Sequence, residues 1–282
     1  MKIKRVWAVY FSPTDTTKRV VTTAASSAAE ALQVPVSHWD ITLLGPRKEG
    51  KVFEEGDLVI LGTPVYAGRV PNVILKDLAL LQGNGALGVP VVCFGNRNFD
   101  NALIELRDIM EKDEFHTVAA GAFVCEHSFS KVLGAGRPDE KDMQLAFNFG
   151  WKLGYAADKA LMMAADGEWT LPPVEVPGIP ETYGGYYQPR DRHGNPIDIR
   201  KVKPLTNENC DNCGLCAAVC PMGSIDRSDV TQFTGICIKC GACIKKCPQG
   251  AKYYEDPGYL YHKTELEEMY TRRAEPEVFF SE

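Results

Sequence analysis

Eight of the ten cysteines fall between residues 210 and 247, in two runs of identical spacing. The first reads CDNCGLCAAVCP, with Cys210, Cys213, Cys216 and Cys220. The second reads CIKCGACIKKCP, with Cys237, Cys240, Cys243 and Cys247. Each is C-x2-C-x2-C-x3-C-P, each cysteine of the second lies 27 residues after its counterpart, and the repeat continues into PMGSI and PQGAK. Three cysteines at x2 intervals let a tight turn wrap three corners of a cubane, and thiolates are soft ligands suited to iron. Gly214 and Gly241 sit inside that turn, where the backbone is most crowded. Structural disulfides would need an oxidising compartment. The opening MKIKRVWAVYF reads as a first strand, because its apolar run is short and leads into Ser12-Pro13-Thr14 instead of a cleavage site. Zinc sites are built from paired C-x2-C elements, without a third cysteine at x2 and a fourth followed by proline.

The 282 residues suffice for two domains. The net charge is -6 with both signs interspersed, so neither nucleic acid nor a membrane surface is an expected partner. No stretch is long and apolar enough to span a bilayer, and a cytoplasmic location is expected. Residues 1–166 alternate strand and helix signals. Strands are expected at Arg5–Phe11, Val34–Asp40, Asp57–Thr63, Val89–Phe94 and Thr117–Val124, and helices at Thr16–Leu32, Asn101–Lys112 and Asp139–Asp166. That order predicts a doubly wound α/β domain with a five-stranded parallel sheet. Such sheets bind ligands beyond the carboxyl ends of their strands.

Three segments fall on that edge. Ser12, Thr14, Asp15, Thr16 and Thr17 join the first strand to the first helix. Four hydroxyls in six residues exceed what a helix cap needs, and a helix N-terminus suits phosphate. Thr63, Pro64, Val65, Tyr66, Ala67 and Gly68 follow the third strand; Tyr66 is either a planar lid for a ring or a surface turn aromatic. Phe94, Gly95, Asn96, Arg97, Phe99 and Asp100 belong to the segment after the fourth strand, where the backbone of 95–97 suits a ring edge better than any side chain. Phe99 is equally a core residue. His127, after the fifth strand, is either a proton donor or a loop histidine bonded to backbone. Gly83–Gly88 matches G-x-G-x-x-G but precedes a strand, so it is a loop and not a dinucleotide site. Cys93 and Cys125 are expected as buried thiols.

These segments resemble flavodoxin over roughly the first 165 residues, and 204–255 resembles the bacterial two-cluster ferredoxins. FSPTDTTKRV, GTPVYAGRVP, FGNRNFD and EHSFS are similar to the flavodoxin–ferredoxin fusion proteins of anaerobes. The resemblance implies FMN, its phosphate in the first loop and its ring between the other two. It also implies two [4Fe–4S] clusters, one on Cys210, Cys213, Cys216 and Cys247, the other on Cys237, Cys240, Cys243 and Cys220. One departure stands out: Asp15 occupies the glycine of the usual phosphate loop. Asp tolerates a positive φ better than most residues, so weakened but retained FMN binding is expected.

The domains expected are therefore 1–166, flavodoxin-like; 167–203, a Pro/Gly/Tyr-rich arm; 204–255, a small α+β ferredoxin domain; and 256–282, a tail. The arm carries Tyr183, Tyr186 and Tyr187, which argues for packing along the first domain and against a free linker. The tail carries a helix signal at Thr264–Arg273 with Thr264 and Glu267 as a capping box. The function implied is electron transfer between clusters and FMN in one chain. The partner is a low-potential redox protein or a small-molecule electron acceptor or donor, with a homodimer left open. An FMN-dependent reductase and a redox-sensing or binding module with a weakened flavin site are the alternatives.

Overall fold

The computed structural model describes residues 2–164, 169 and 171–281. Five parallel strands form its centre: β1 (Arg5–Tyr10), β2 (Val36–Asp40), β3 (Asp57–Pro64), β4 (Leu87–Phe94) and β5 (Ala119–Val124). A sixth, β6 (Glu277–Phe280), lies antiparallel beside β5, giving the spatial order β6-β5-β4-β3-β1-β2. The parallel part, 2-1-3-4-5, is the flavodoxin-like winding. Register runs Val6↔Leu58 between β1 and β3, and Leu58↔Leu87 between β3 and β4.

Burial explains the strand sequences. β4 is buried along all eight residues, and β3 from Leu58 to Thr63, as both faces are covered. Helices α1 (Thr16–Leu32) and α3 (Glu140–Met163) cover one face; α2 (Ala102–Lys112) covers the other. Gly150 lets α3 approach the backbone of Ala24 in α1 so closely that a Cβ there would collide with the Ala24 carbonyl. Cys93 and Cys125 are buried in the core, where burial and their mutual hydrogen bond push the Cys93 thiol well up.

Three expectations need correction. The fifth strand is broken at Val118, with His116–Thr117 pairing separately with β4. The sheet is not all parallel: β5 is an Ala/Gly-rich edge (AAGAFV), and the chain returns from its far end to cover it, Phe280 packing on Phe149. The tail helix, α6, spans Pro257–Met269, capped by Asp256, whose carboxylate accepts the Tyr259 N–H; Thr264 is mid-helix and caps nothing. The last residues expected in the third helix, and the 166/167 boundary, lie outside the described residues.

The cysteine runs form a pseudo-symmetric unit. Short helices α4 (Leu215–Ala218) and α5 (Ala242–Lys245) occupy matching places, each preceded by a glycine with φ near +77°. The strand pair Thr206↔Lys252 is mirrored, 27 residues on and back, by the bridge Ile225↔Phe233.

Candidate functional site

The repeat folds so that cysteines of different runs meet. One cavity is lined by Cys237, Cys240 and Cys243 together with Cys220; the other by Cys210, Cys213 and Cys216 together with Cys247. The fourth cysteine of each run therefore stands at the other run's cavity. Backbone N–H groups donate to the sulfurs at equivalent places, Ser224 to Cys220 (3.4 Å) and Ala251 to Cys247 (3.3 Å), with Lys239 to Cys237 (3.4 Å). Burial pushes the Cys240 thiol up to about 12 and Cys243 higher still. Such sulfurs stay protonated in an empty apolar pocket and ionise on a bound metal. Cys213 is exposed, whereas Cys240 and Cys243 are buried.

The cysteine unit sits on the carboxyl edge of the sheet and is tied to the loops after β1, β2 and β5. Lys246 pairs with Asp15 at 2.8 Å, and Arg47 donates to the Pro221 carbonyl at 2.9 Å. Lys245 pairs with Glu126 and donates to the carbonyls of His127 (2.7 Å) and Ser130 (3.2 Å). Gly241 is required where it touches this loop, because a Cβ would lie 2.6 Å from the Ser128 carbonyl. Asp15 adopts φ 65°, the conformation expected for a glycine replacement, and its carboxylate is spent on the cysteine unit. It makes no cap hydrogen bond, and the first turn of α1 carries no acid; Ser12 Oγ takes the Lys18 N–H, and the N–H groups of Thr16 and Thr17 suit a phosphate.

Between sheet edge and cysteine unit lies a cavity of about 500 Å³, within the ~300–1,000 Å³ range of small-molecule sites. Of the residues singled out from sequence, Val65, Tyr66, Ala67, Gly68, Phe94, Gly95, Arg97 and His127 line it. Ala67 (φ 51°) and Gly68 (φ 76°) form the two-residue turn that presents Tyr66, whose amide and carbonyl both bond Arg69. Burial, with the nearby Cys240 and Cys237 sulfurs, pushes the Tyr66 phenol well up. Ile236, Cys237 and Ile238 line that cavity and the large one alike.

Other expected residues do not reach the cavity. Ser12 Oγ accepts the Lys18 N–H at 2.9 Å, and Thr14 and Thr16 face each other at 3.5 Å. Thr17 is buried beside Cys93, and Thr63 is buried with an unpartnered hydroxyl; neither they nor Pro64 line the cavity. Asn96 does not line the cavity: its side-chain amide donates to the carbonyls of Tyr270 and Arg272 and accepts the Ala274 N–H, clamping the tail. Phe99 is core, packed on Phe94, and Asp100 pairs with Arg97.

Sequence reasoning missed the far walls. The arm supplies Tyr186, Tyr187 and Ile199, and α6 supplies His262 and Leu266. The arm is fixed: Tyr183 donates to Asp108 (3.0 Å), Tyr186 to the Val70 carbonyl (3.1 Å), and Arg69 lies over both rings at 4.7 and 4.8 Å. Its aromatics were the available signal; nothing in sequence announced His262.

Both cavity histidines are held neutral. Burial, aided by Lys245, pushes His127 down to about 3; burial, aided by Arg97, pushes His262 down to about 4. His127 Nδ1 accepts the Phe129 N–H at 3.1 Å, the backbone-bonded state expected of a loop histidine, which leaves Nε2 as its proton-bearing atom. In the unfolded chain both histidines take protons near 6.5. Between that value and 3–4 the unfolded chain binds more protons, so stability falls as pH falls through this window. A His127→Gln/His262→Gln variant should show a smaller loss of denaturation midpoint between pH 7 and pH 5 than the wild type. An unchanged slope would count against the two imidazoles.

The family described as "4Fe-4S dicluster domain" matches residues 209–252. The comparison with curated proteins finds no match. Among solved structures, a flavodoxin from the domain Archaea is 13% identical, covering 55% of this chain and 99% of that one, with TM-score 0.37. A flavodoxin of Streptococcus pneumonia TIGR4 is 18% identical, covering 54% and 98%, with TM-score 0.38. Rubredoxin oxygen:oxidoreductase from Desulfovibrio gigas is 14% identical, covering 56% of this chain and 37% of that one, with TM-score 0.41. Among the described residues no helix is long and apolar enough to cross a membrane. The chain thus joins an α/β sheet of flavodoxin-like winding to a segment that matches a 4Fe–4S dicluster domain.

Proposed function

We propose that the chain is an electron-transfer flavoprotein with FMN and two [4Fe–4S] clusters, ligated across the repeat by Cys210, Cys213, Cys216 and Cys247 and by Cys237, Cys240, Cys243 and Cys220. The observation that carries this reading is the wall Ile236–Cys237–Ile238, common to the second cysteine cavity and the large one. When bound, the clusters carry single electrons and FMN takes one or two, so the protein's own part is positioning and tuning. Tyr66, Gly95, Arg97 and the neutral His127 would frame the ring, and the open N–H groups at the start of α1 would hold the phosphate. The N–H donors to Cys220, Cys237 and Cys247, and the Tyr254 hydroxyl 3.8 Å from Cys237 Sγ, favour the electron-rich state of the sulfurs. Cys213, exposed on the other cluster, is where an external redox partner would meet the chain.

Anaerobic purification with cofactor analysis tests this. The expected content is about eight iron, about eight acid-labile sulfide and about one FMN per chain. Zinc in place of iron would overturn the cluster assignment, and iron without flavin would overturn the flavin half.

A further inference from the structure

The large cavity is more than a slot for a flat ring, and the composition of its walls is one-sided. Arg97, Lys239 and Arg200 line it, and no described residue lining it is an aspartate or glutamate. The carboxylates that meet these cations stand outside the walls: Asp100 pairs with Arg97, and Asp198 with Arg200 at 2.7 Å. A guanidinium has five N–H donors, and the Asp100 pair occupies one nitrogen of Arg97. Lys239 donates only to backbone, to the carbonyls of Cys237 (2.9 Å) and Arg200 (3.1 Å). Arg97 is backed by the Tyr187 ring at 5.0 Å, which holds the guanidinium in place.

A second observation lies beyond Tyr187, on the same side. His262 is 4% exposed, and its Nδ1 is buried without a hydrogen-bond partner; the nearest carboxylate, Glu265, is 3.9 Å away. The imidazole is gripped by Tyr187, stacked at 5.8 Å, and by the edge of Phe129. A buried polar atom without a partner is costly, and this one belongs to a residue of the cavity wall. Around these groups the lining is aromatic and aliphatic: Tyr186, Tyr187, Phe129, Ile197, Ile199 and Leu266.

We propose that this cavity binds, beside the flavin ring, a small planar carboxylate, its anionic end met by Arg97 and Lys239 and its body packed on the aromatic wall that the stacked pair Tyr187 and His262 belongs to. The inference rests on the flavin reading above. It adds the class of small molecule that the cavity would hold beside the cofactor.

The test uses the purified holoprotein under anaerobic conditions, with FMN content measured on the same sample. Benzoate and cinnamate, and the neutral amide of each, are titrated while the flavin absorption spectrum is followed. At least one acid should perturb the spectrum with a dissociation constant tenfold or more below that of its amide. Arg97→Gln should erase that preference. His262→Phe keeps an aromatic face against Tyr187 and Phe129 but removes the ring nitrogens; it should weaken the acid severalfold while leaving FMN content unchanged. Flavin-loaded protein that binds neither acid, or binds acid and amide alike, would overturn the carboxylate site and leave the electron-transfer reading standing. Protein with iron but without flavin would overturn both.

Discussion

Cys220→Ala is expected to cost the protein the cluster of the second cysteine run and to spare the one held by its own run. Cys220 lines the cavity of Cys237, Cys240 and Cys243, while Cys210, Cys213 and Cys216 share theirs with Cys247. With Cys220 gone, three sulfurs remain around the second cavity, two of them buried thiols whose ionisation depends on metal. Iron should fall from about eight toward about four per chain, with one EPR signal of the reduced protein lost. Cys247→Ala should remove the complementary signal. If Cys220→Ala silences the same cluster as Cys210→Ala, the crossed ligation is wrong. Because the second cavity shares its wall with the large one, Cys220→Ala should also slow flavin reduction by a chemical donor far more than Cys247→Ala does, if electrons reach the flavin through the second cluster.

The second large effect concerns stability. Arg137 pairs with Asp142, the two being 5% and 0% exposed in their side chains, and also donates to the Ala274 carbonyl at 3.1 Å. Asp142 is simultaneously the third residue of α3, where it accepts the Asp139 N–H at 2.9 Å in a capping box. Arg137→Met leaves that carboxylate buried and stripped of its main counter-charge, a change that costs about 3–5 kcal/mol. In a chain of this size the thermal midpoint should drop by roughly 10 °C at a fixed scan rate. Adding Asp142→Asn keeps an acceptor for the cap while removing the charge, so the double variant should recover part of the loss. A double variant as unstable as the sum of the singles would show that the pair is not what holds α3 to the tail.

Much of the sheet was legible because it is written in local patterns. DLVILGTP and LGVPVVCF are continuous apolar runs, and burial on both faces is what such runs mean. The crossed cysteine sets came from the resemblance of the repeat to the two-cluster ferredoxins, and not from the spacing alone. What stayed hidden depends on partners distant in sequence. Nothing near Asn96 in sequence shows that its side chain clamps the tail more than 170 positions away. Asp15 looks like a defect in a phosphate loop until Lys246 supplies its counter-charge. The EVFF of β6 is too short to announce a strand, and its place beside β5 follows from an edge that needed covering. His262 sits on a helix with little amphipathic pattern, so its burial comes from Tyr187 of the arm and Phe129 of the loop after β5.

The antiparallel edge strand has a consequence for how the chain is made. Synthesis proceeds from the amino end, so β1 to β5 leave the ribosome well before residues 277–280 that complete their sheet. In the interval the entire cysteine segment emerges. The nascent flavodoxin-like part therefore waits with an open Ala/Gly-rich edge until the whole cysteine segment has left the ribosome.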